Sequence, residues 1–396
     1  MTLTLLVLVS APVAHTKPMM ASGVPLVRLL KNIEAYQKAH PKDPAAYYAL
    51  GRAYYAAFTA PDGVSVSAYG EGNTNTLPGY PSGKLTSGPF DRTSYAAPAP
   101  KGDSLRAKYA WLAVENLRRG PLGRDGLAEL TLACVLDQGA KYATLMPLPK
   151  EEKELTHNFQ QWTKLAIKYY GKSFDLAYPK ESKDDEQPIF GYQSLIAYEA
   201  GQSYLRLVME PSSRREQIFR GLETLRQKPH SRMVTPLVFS LERAQPLDAL
   251  LAPQKRVAFD LDGTRRPQQH SWLQPSTALL VWDPQGTGKI TSGTQLFGSA
   301  TWWMLFPNAY AALDALDDSR DGWLTGKELM SLALWFDRNQ NGVSDPGEVV
   351  PLSKTEVVGI ATQATGKTGI SPMNPLGLRL RDGRVLPTYD WTFLSR

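Results

Sequence analysis

The 396-residue sequence has one cysteine, Cys134. A single thiol excludes an intrachain disulfide, a cysteine-ligated zinc finger and an iron–sulfur cluster. Histidine is scarce as well, and His40, His157, His230 and His270 have no spacing that suggests a zinc site. No apolar run reaches the roughly 20 residues that a membrane-crossing helix needs, so no integral membrane span is expected. Neither sign of charge dominates: 44 Lys/Arg against 38 Asp/Glu leave a net +6. That balance is too mild to imply a nucleic-acid partner. The hydrophobic fraction of 42% and the charged fraction of 21% exclude wholesale disorder. The length allows two domains with sizeable cores.

The first residues, Met1 to Ala14, are uncharged and contain the apolar run Leu3 to Val9, followed by the small residues Ala11 and Ala14. This pattern resembles a secretory signal peptide, expected over residues 1–23. It implies a secreted or cell-envelope location.

Residues 24–231 read as helical. Tyr47, Leu50, Gly51, Tyr54 and Phe58 fall on one face of a helix opening at Pro44, a favoured first-turn position. Leu132-Ala133 with Leu136, and Ala200-Gly201 with Tyr204, repeat the pattern more weakly, while Phe174 and Ala177 precede Pro179. An aromatic, Leu-Gly and a second aromatic at these offsets resemble the first helix of a tetratricopeptide repeat. The resemblance implies stacked helix pairs that bind a protein partner, which the sequence does not identify. Residues 59–102 interrupt the pattern with a stretch roughly half Gly, Pro, Ser and Thr, expected as a surface insertion.

The character changes at about residue 232. Short β-like runs appear at Pro236 to Leu241, Val257 to Leu261 and Leu279 to Trp282. Two twelve-residue segments follow, Asp317 to Glu328 and Asp337 to Glu348. Each has oxygen-bearing side chains at positions one, three and five, glycine at six and glutamate at twelve. That is the spacing of an EF-hand calcium loop. A hard cation takes six to eight oxygen ligands, so alternate residues must point inward while the glycine takes the sharp turn. The expected ligands are Asp317, Ser319, Asp321, the Trp323 carbonyl and Glu328 in the first loop. In the second they are Asp337, Asn339, Asn341, the Val343 carbonyl and Glu348. Thr325 and Asp345 occupy the ninth positions. Arg320, Lys327 and Arg338 lower the local negative charge and imply weak sites, about 10⁻⁴ to 10⁻³ M as in extracellular modules. Leu329, Leu332, Ala333 and Phe336 form a stripe that predicts a helix over Lys327–Phe336 joining the loops. Residues Asn308 to Leu316 are expected as the helix entering the first.

Phe259-Asp260-Leu261-Asp262-Gly263, Trp272, Leu279 to Asp283 and Gln295 to Gly298 precede these loops in order. Together they resemble a calcium-binding module of exported bacterial proteins that often accompanies haemolysin-type sequences. The likeness departs at Gln285, Thr287 and Gln295, where Asp, Asn or Glu is expected, so these earlier sites are expected to be structural or not to bind. The glycine-rich nonapeptide repeats of haemolysins are absent. Val257 to Thr264 also resembles the first motif of haloacid-dehalogenase-type phosphatases, which implies Asp260 as nucleophile and Asp262 as acid/base on a parallel sheet. A third alternative, a carbohydrate-binding surface, draws on Trp302, Trp303, Trp323 and Trp335.

The sequence thus predicts a mainly α fold: a tetratricopeptide-like helical domain at 24–231, then a small α+β EF-hand-type module at 232–396. Calcium is the expected cofactor and no catalysis is expected.

Overall fold

The computed structural model describes residues 25–59, 104–178, 190–226, 234–261 and 267–392. The signal-peptide segment and nearly all of the Gly/Pro/Ser-rich insertion lie outside them.

Helices α1 (Leu26–Ala39), α2 (Pro44–Thr59), α3 (Ser104–Leu117), α4 (Leu127–Gly139), α5 (Phe159–Ala177), α6 (Phe190–Leu207) and α7 (Ser213–Arg226) come first. The α2 helix opens at Pro44, where the missing N–H is one the helix leaves unpaired in any case. A Cβ on Gly51 would lie 2.6 Å from Leu117 Cγ, so only a bare backbone lets α2 and α3 approach this closely. Helices α2 to α7 bury a common core containing Trp111, Trp162, Tyr170 and Phe174. Cys134 belongs to it, and burial pushes its thiol well above the usual range, leaving it inert.

The C-terminal region is a sheet protein. Strands β1 (Leu237–Phe239), β4 (Ala278–Trp282), β5 (Trp323–Thr325), β6 (Leu332–Trp335), β7 (Val349–Pro351), β8 (Val357–Ala361), β10 (Ser371–Leu380) and β11 (Val385–Asp390) form one curled antiparallel sheet in the order β5-β8-β10-β11-β1-β4-β6-β7. The short β9 (Gly366–Thr368) adds to β10. A separate ribbon pairs β2 (Leu251–Phe259) with β3 (Gln268–Leu273) after the short helix α8 (Leu247–Leu250).

Alternate residues of the central strands serve two cores. Leu237, Phe239, Leu280, Leu332 and Leu334 face Leu29 and Ile33 of α1, Leu50 and Ala53 of α2, and Leu313 of α9 (Ala309–Asp314). Val238, Leu279, Val281, Ala333 and Trp335 face Phe259 and Trp272 of the ribbon. The first two helices therefore share a core with the sheet.

This arrangement corrects the mainly α expectation. The C-terminal region is a nine-stranded sheet with short connecting turns, and the chain as a whole mixes helix and strand. The helix predicted between the loops is instead a 3₁₀ turn, Gly326–Leu329, followed by β6. Every residue of β6 is buried. A strand covered on both faces loses its two-residue alternation and reads as an apolar run. Ser331, at φ 73°, breaks any helix across the segment. The entering helix is present as α9, capped by the Asn308 side chain.

Asp390 ends β11 with 1% of its surface exposed, and both carboxylate oxygens lack hydrogen-bond geometry. Burial pushes its carboxyl up to about 7, with Thr235 and the Ala309 amide pulling the other way. A carboxyl raised on folding stabilises below its unfolded value and loses that contribution as pH climbs through the folded one. Asp390→Asn is therefore expected to flatten the fall in stability between pH 4 and pH 8. At pH 8 the variant should gain on the order of 2–4 kcal/mol, measured by denaturant melts.

Candidate functional site: two carboxylate loops

Loop 1, Asp317 to Glu328, leaves α9 and runs through β5. Loop 2, Asp337 to Glu348, joins β6 to β7. Both use the same backbone device. The fourth position is left-handed in each, Arg320 at φ 61° and Gln340 at φ 58°, and so is the sixth, Gly322 at 84° and Gly342 at 74°. Two reversals this close turn successive amide N–H groups inward.

The first-position carboxylates receive those amides. Asp317 accepts from Arg320 N–H at 2.6 Å and Gly322 N–H at 2.9 Å. Asp337 accepts from Asn341 N–H at 3.0 Å, Gly342 N–H at 2.8 Å and the Trp272 indole at 2.6 Å. The twelfth-position glutamates close each loop from the other side. Glu328 accepts from Ser319 N–H at 2.8 Å and Thr325 N–H at 3.0 Å. Glu348 accepts from Arg338 N–H at 2.7 Å and Asp345 N–H at 3.1 Å. All four carboxylates are buried.

The remaining donors differ between the loops. In loop 1 the Ser319 hydroxyl donates to Asp317 at 3.2 Å and Asp321 accepts from Trp323 N–H at 2.9 Å. In loop 2 the amides of Asn339 and Asn341 both donate to Asp345 Oδ2, at 2.8 and 2.9 Å, which brings positions three, five and nine together. Those two bonds hold the Asp345 carboxyl below its ordinary range. Burial pushes Asp337 up, against the Gly342, Asn341 and Trp272 hydrogen bonds. Val343 is exposed, and Arg379 stacks 3.4 Å from the centroid of the half-buried Trp323 ring.

Among the described residues, no three His, Cys, Asp or Glu side chains gather as a metal cluster. The loop carboxylates are turned onto their own backbone amides. The donor chemistry nonetheless fits calcium, because every predicted ligand offers oxygen: carboxylate, hydroxyl, side-chain amide or main-chain carbonyl. A carboxylate has about four lone-pair sites, so the amide bonds leave acceptor capacity on Asp317, Glu328, Asp337 and Glu348.

A third loop shares this frame. Gly286 at φ 62° and Gly288 at φ 66° stand fourth and sixth from Asp283. Asp283 accepts from Thr287 N–H at 3.0 Å and Gly288 N–H at 2.8 Å, and Gln295 accepts from Thr291 N–H at 2.9 Å. Its eighth residue, Ile290, donates its N–H to Ser344, the eighth residue of loop 2, at 2.8 Å. The signal in the sequence is Asp283 with Gly288 five residues on. Gln285, Thr287 and Gln295 leave the loop with one carboxylate.

Residues 244–376 match a protein-family model described as the SPM domain. The match takes in the β2–β3 ribbon and all three loops. The chain is also 33% identical over 88 residues to iron-regulated protein FrpA of Neisseria meningitidis serogroup C, a stretch that is 21% of this chain. That stretch is 8% of the FrpA sequence, so the chain spans only a small part of this relative.

The rival readings lose their structural footing. Asp260 follows β2, whose pairing is antiparallel, so it does not stand on the parallel sheet that the phosphatase resemblance implies. Asp262 lies outside the described residues. Trp302 and Trp335 are fully buried, Arg379 covers the half-buried Trp323 ring, and the side chain of Trp303 lies outside the described residues.

Proposed function

We propose that this is an exported protein whose C-terminal region binds calcium in loops 1 and 2, and that the ion stabilises the sheet. The observation that carries the reading is the repeat itself. Two loops of twelve residues share left-handed fourth and sixth positions, a buried first Asp and a buried twelfth Glu. The ligands would be Asp317, Ser319, Asp321, the Trp323 carbonyl and Glu328, then Asp337, Asn339, Asn341, the Val343 carbonyl and Glu348. The similarity to FrpA, over 21% of this chain, supplies no activity. The role is binding, without catalysis, and the helical layer α2–α7 serves as the surface for a partner protein.

Calcium that binds only the folded chain stabilises it by mass action, about 2.7 kcal/mol per site at 100 times the dissociation constant. Melting is expected to rise by about 5 °C or more in calcium relative to chelator, with little change in magnesium. Glu328→Gln with Glu348→Gln should remove the shift, because the amide supplies one oxygen where the carboxylate supplies two. A melt indifferent to calcium sinks the proposal.

A further inference from the structure

Among the described residues, loop 1 is tied to α1 and loop 2 is not. The second loop position carries the difference. In loop 1 it is Asp318, which is not among the expected ligands. Arg28 of α1 donates Nε to Asp318 Oδ1 at 2.9 Å, and Asn32 donates Nδ2 to the same oxygen at 2.7 Å. The same two residues hold the turn that enters the loop. Asn32 donates to the Ala315 carbonyl at 3.1 Å, and Arg28 donates Nη2 to the Leu316 carbonyl. One turn of α1 thus grips Ala315, Leu316 and Asp318 at the mouth of loop 1. In loop 2 the second position is Arg338, which folds back on its own loop to the Gly347 carbonyl at 2.9 Å.

The grip is polar and partly buried, and it continues an apolar seam. Leu26, Leu29 and Ile33 share a core with Leu313, Leu316 and Leu324, which precede and line loop 1.

Asp318 lies between Asp317 and Ser319, ligands one and three. Any cation that fixes those two residues fixes the backbone that presents Asp318 to α1. A coupling carried by this shared backbone is equal in both directions.

We propose that α1 is a latch closed by calcium in loop 1: an ion in that loop holds α1 on the sheet through Asp318, and docked α1 in turn tightens the loop for the ion. The inference rests on the calcium reading above. It makes the two loops unequal, loop 1 coupling the N-terminal helices to the sheet and loop 2 acting locally on the β2–β3 ribbon.

Hydrogen exchange of the full chain, in calcium, magnesium or chelator, tests it. The amides of loop 1 report ion binding, and those of α1 report the latch. Calcium should slow exchange in both, α1 by about tenfold or more, with a ceiling near 100-fold at 100 times the dissociation constant. Arg28→Ala with Asn32→Ala should keep calcium protection in loop 1 and lose it in α1. The milder Asp318→Asn, which keeps an acceptor for Asn32, should weaken the α1 response and serves if the double variant does not fold. Asp337→Asn, in loop 2, should leave the α1 response intact. Protection of loop 1 without any change in α1 overturns the latch and leaves calcium binding standing. Silence in loop 1 and in α1 overturns both.

Discussion

Gly342→Ala is expected to cost about 3–5 kcal/mol of folding stability, whereas Gly322→Ala, at the equivalent position of loop 1, should cost about 1–2 kcal/mol. Both residues are left-handed, at φ 74° and 84°, so the conformational penalty is shared. Their surroundings differ. A Cβ on Gly342 would lie 2.4 Å from Val257 Cγ1 and 2.8 Å from the Ala258 carbonyl, while nothing stands within 4 Å of one on Gly322. Val257 is β-branched, buried and held in β2, so the ribbon must shift to make room. Paired urea melts in chelator check the difference. Equal losses would show that loop 2 is not wedged against the ribbon.

Asp337→Ala is expected to destabilise the chain by roughly 3–5 kcal/mol in the absence of calcium, because it strands several buried donors at once. The Trp272 indole and the Asn341 and Gly342 amides all end on this one carboxylate. Trp272→Phe keeps the ring and removes one donor, so it should cost about 1–2 kcal/mol. In the double variant the two losses should fall short of their sum, since the indole no longer has a bond to lose. A loss that appears in calcium and vanishes in chelator would make Asp337 a ligand only. The expected result gives it two roles, a scaffold for the loop and an oxygen for the ion.

The parts of this fold that were legible in the sequence are those set by local backbone chemistry. Pro44 marks the start of α2. Both carboxylate loops follow from Asp and Gly five residues apart with Glu at the twelfth place. The β4 strand is visible as a run, and so is the place of β1, although β1 is three residues long and the run from Pro236 to Leu241 is six. What misled was burial on two faces. Leu332 to Trp335 serves the helix-side core and the ribbon-side core alternately, so its strand period is hidden behind four apolar residues. Leu329 and Phe336 completed a helical stripe by coincidence, and Ser331 gave no warning of its left-handed backbone. The sheet pairs residues far apart, such as Leu237 with Asp390, and no local pattern announces such partners.

Part of the site leaves no local signal in the sequence. The Asp283 loop carries the aspartate and the glycines that shape the frame, but its neutral Gln285, Thr287 and Gln295 hid the kinship. Trp272 as a donor to Asp337 joins residues 65 apart in sequence. The grip of Arg28 and Asn32 on Asp318 joins residues 290 and 286 apart in sequence, and the shared core of α1 and the sheet brings them together.

The central claim is that loops 1 and 2 each hold one calcium ion. Calorimetric titration of the full chain with calcium tests it most directly, and weak sites of about 10⁻⁴ to 10⁻³ M call for a concentrated sample. Two ions per chain are expected, one in either Glu328→Gln or Glu348→Gln, and none when both are changed. No uptake by the unaltered chain, or undiminished uptake by the double variant, would contradict the account.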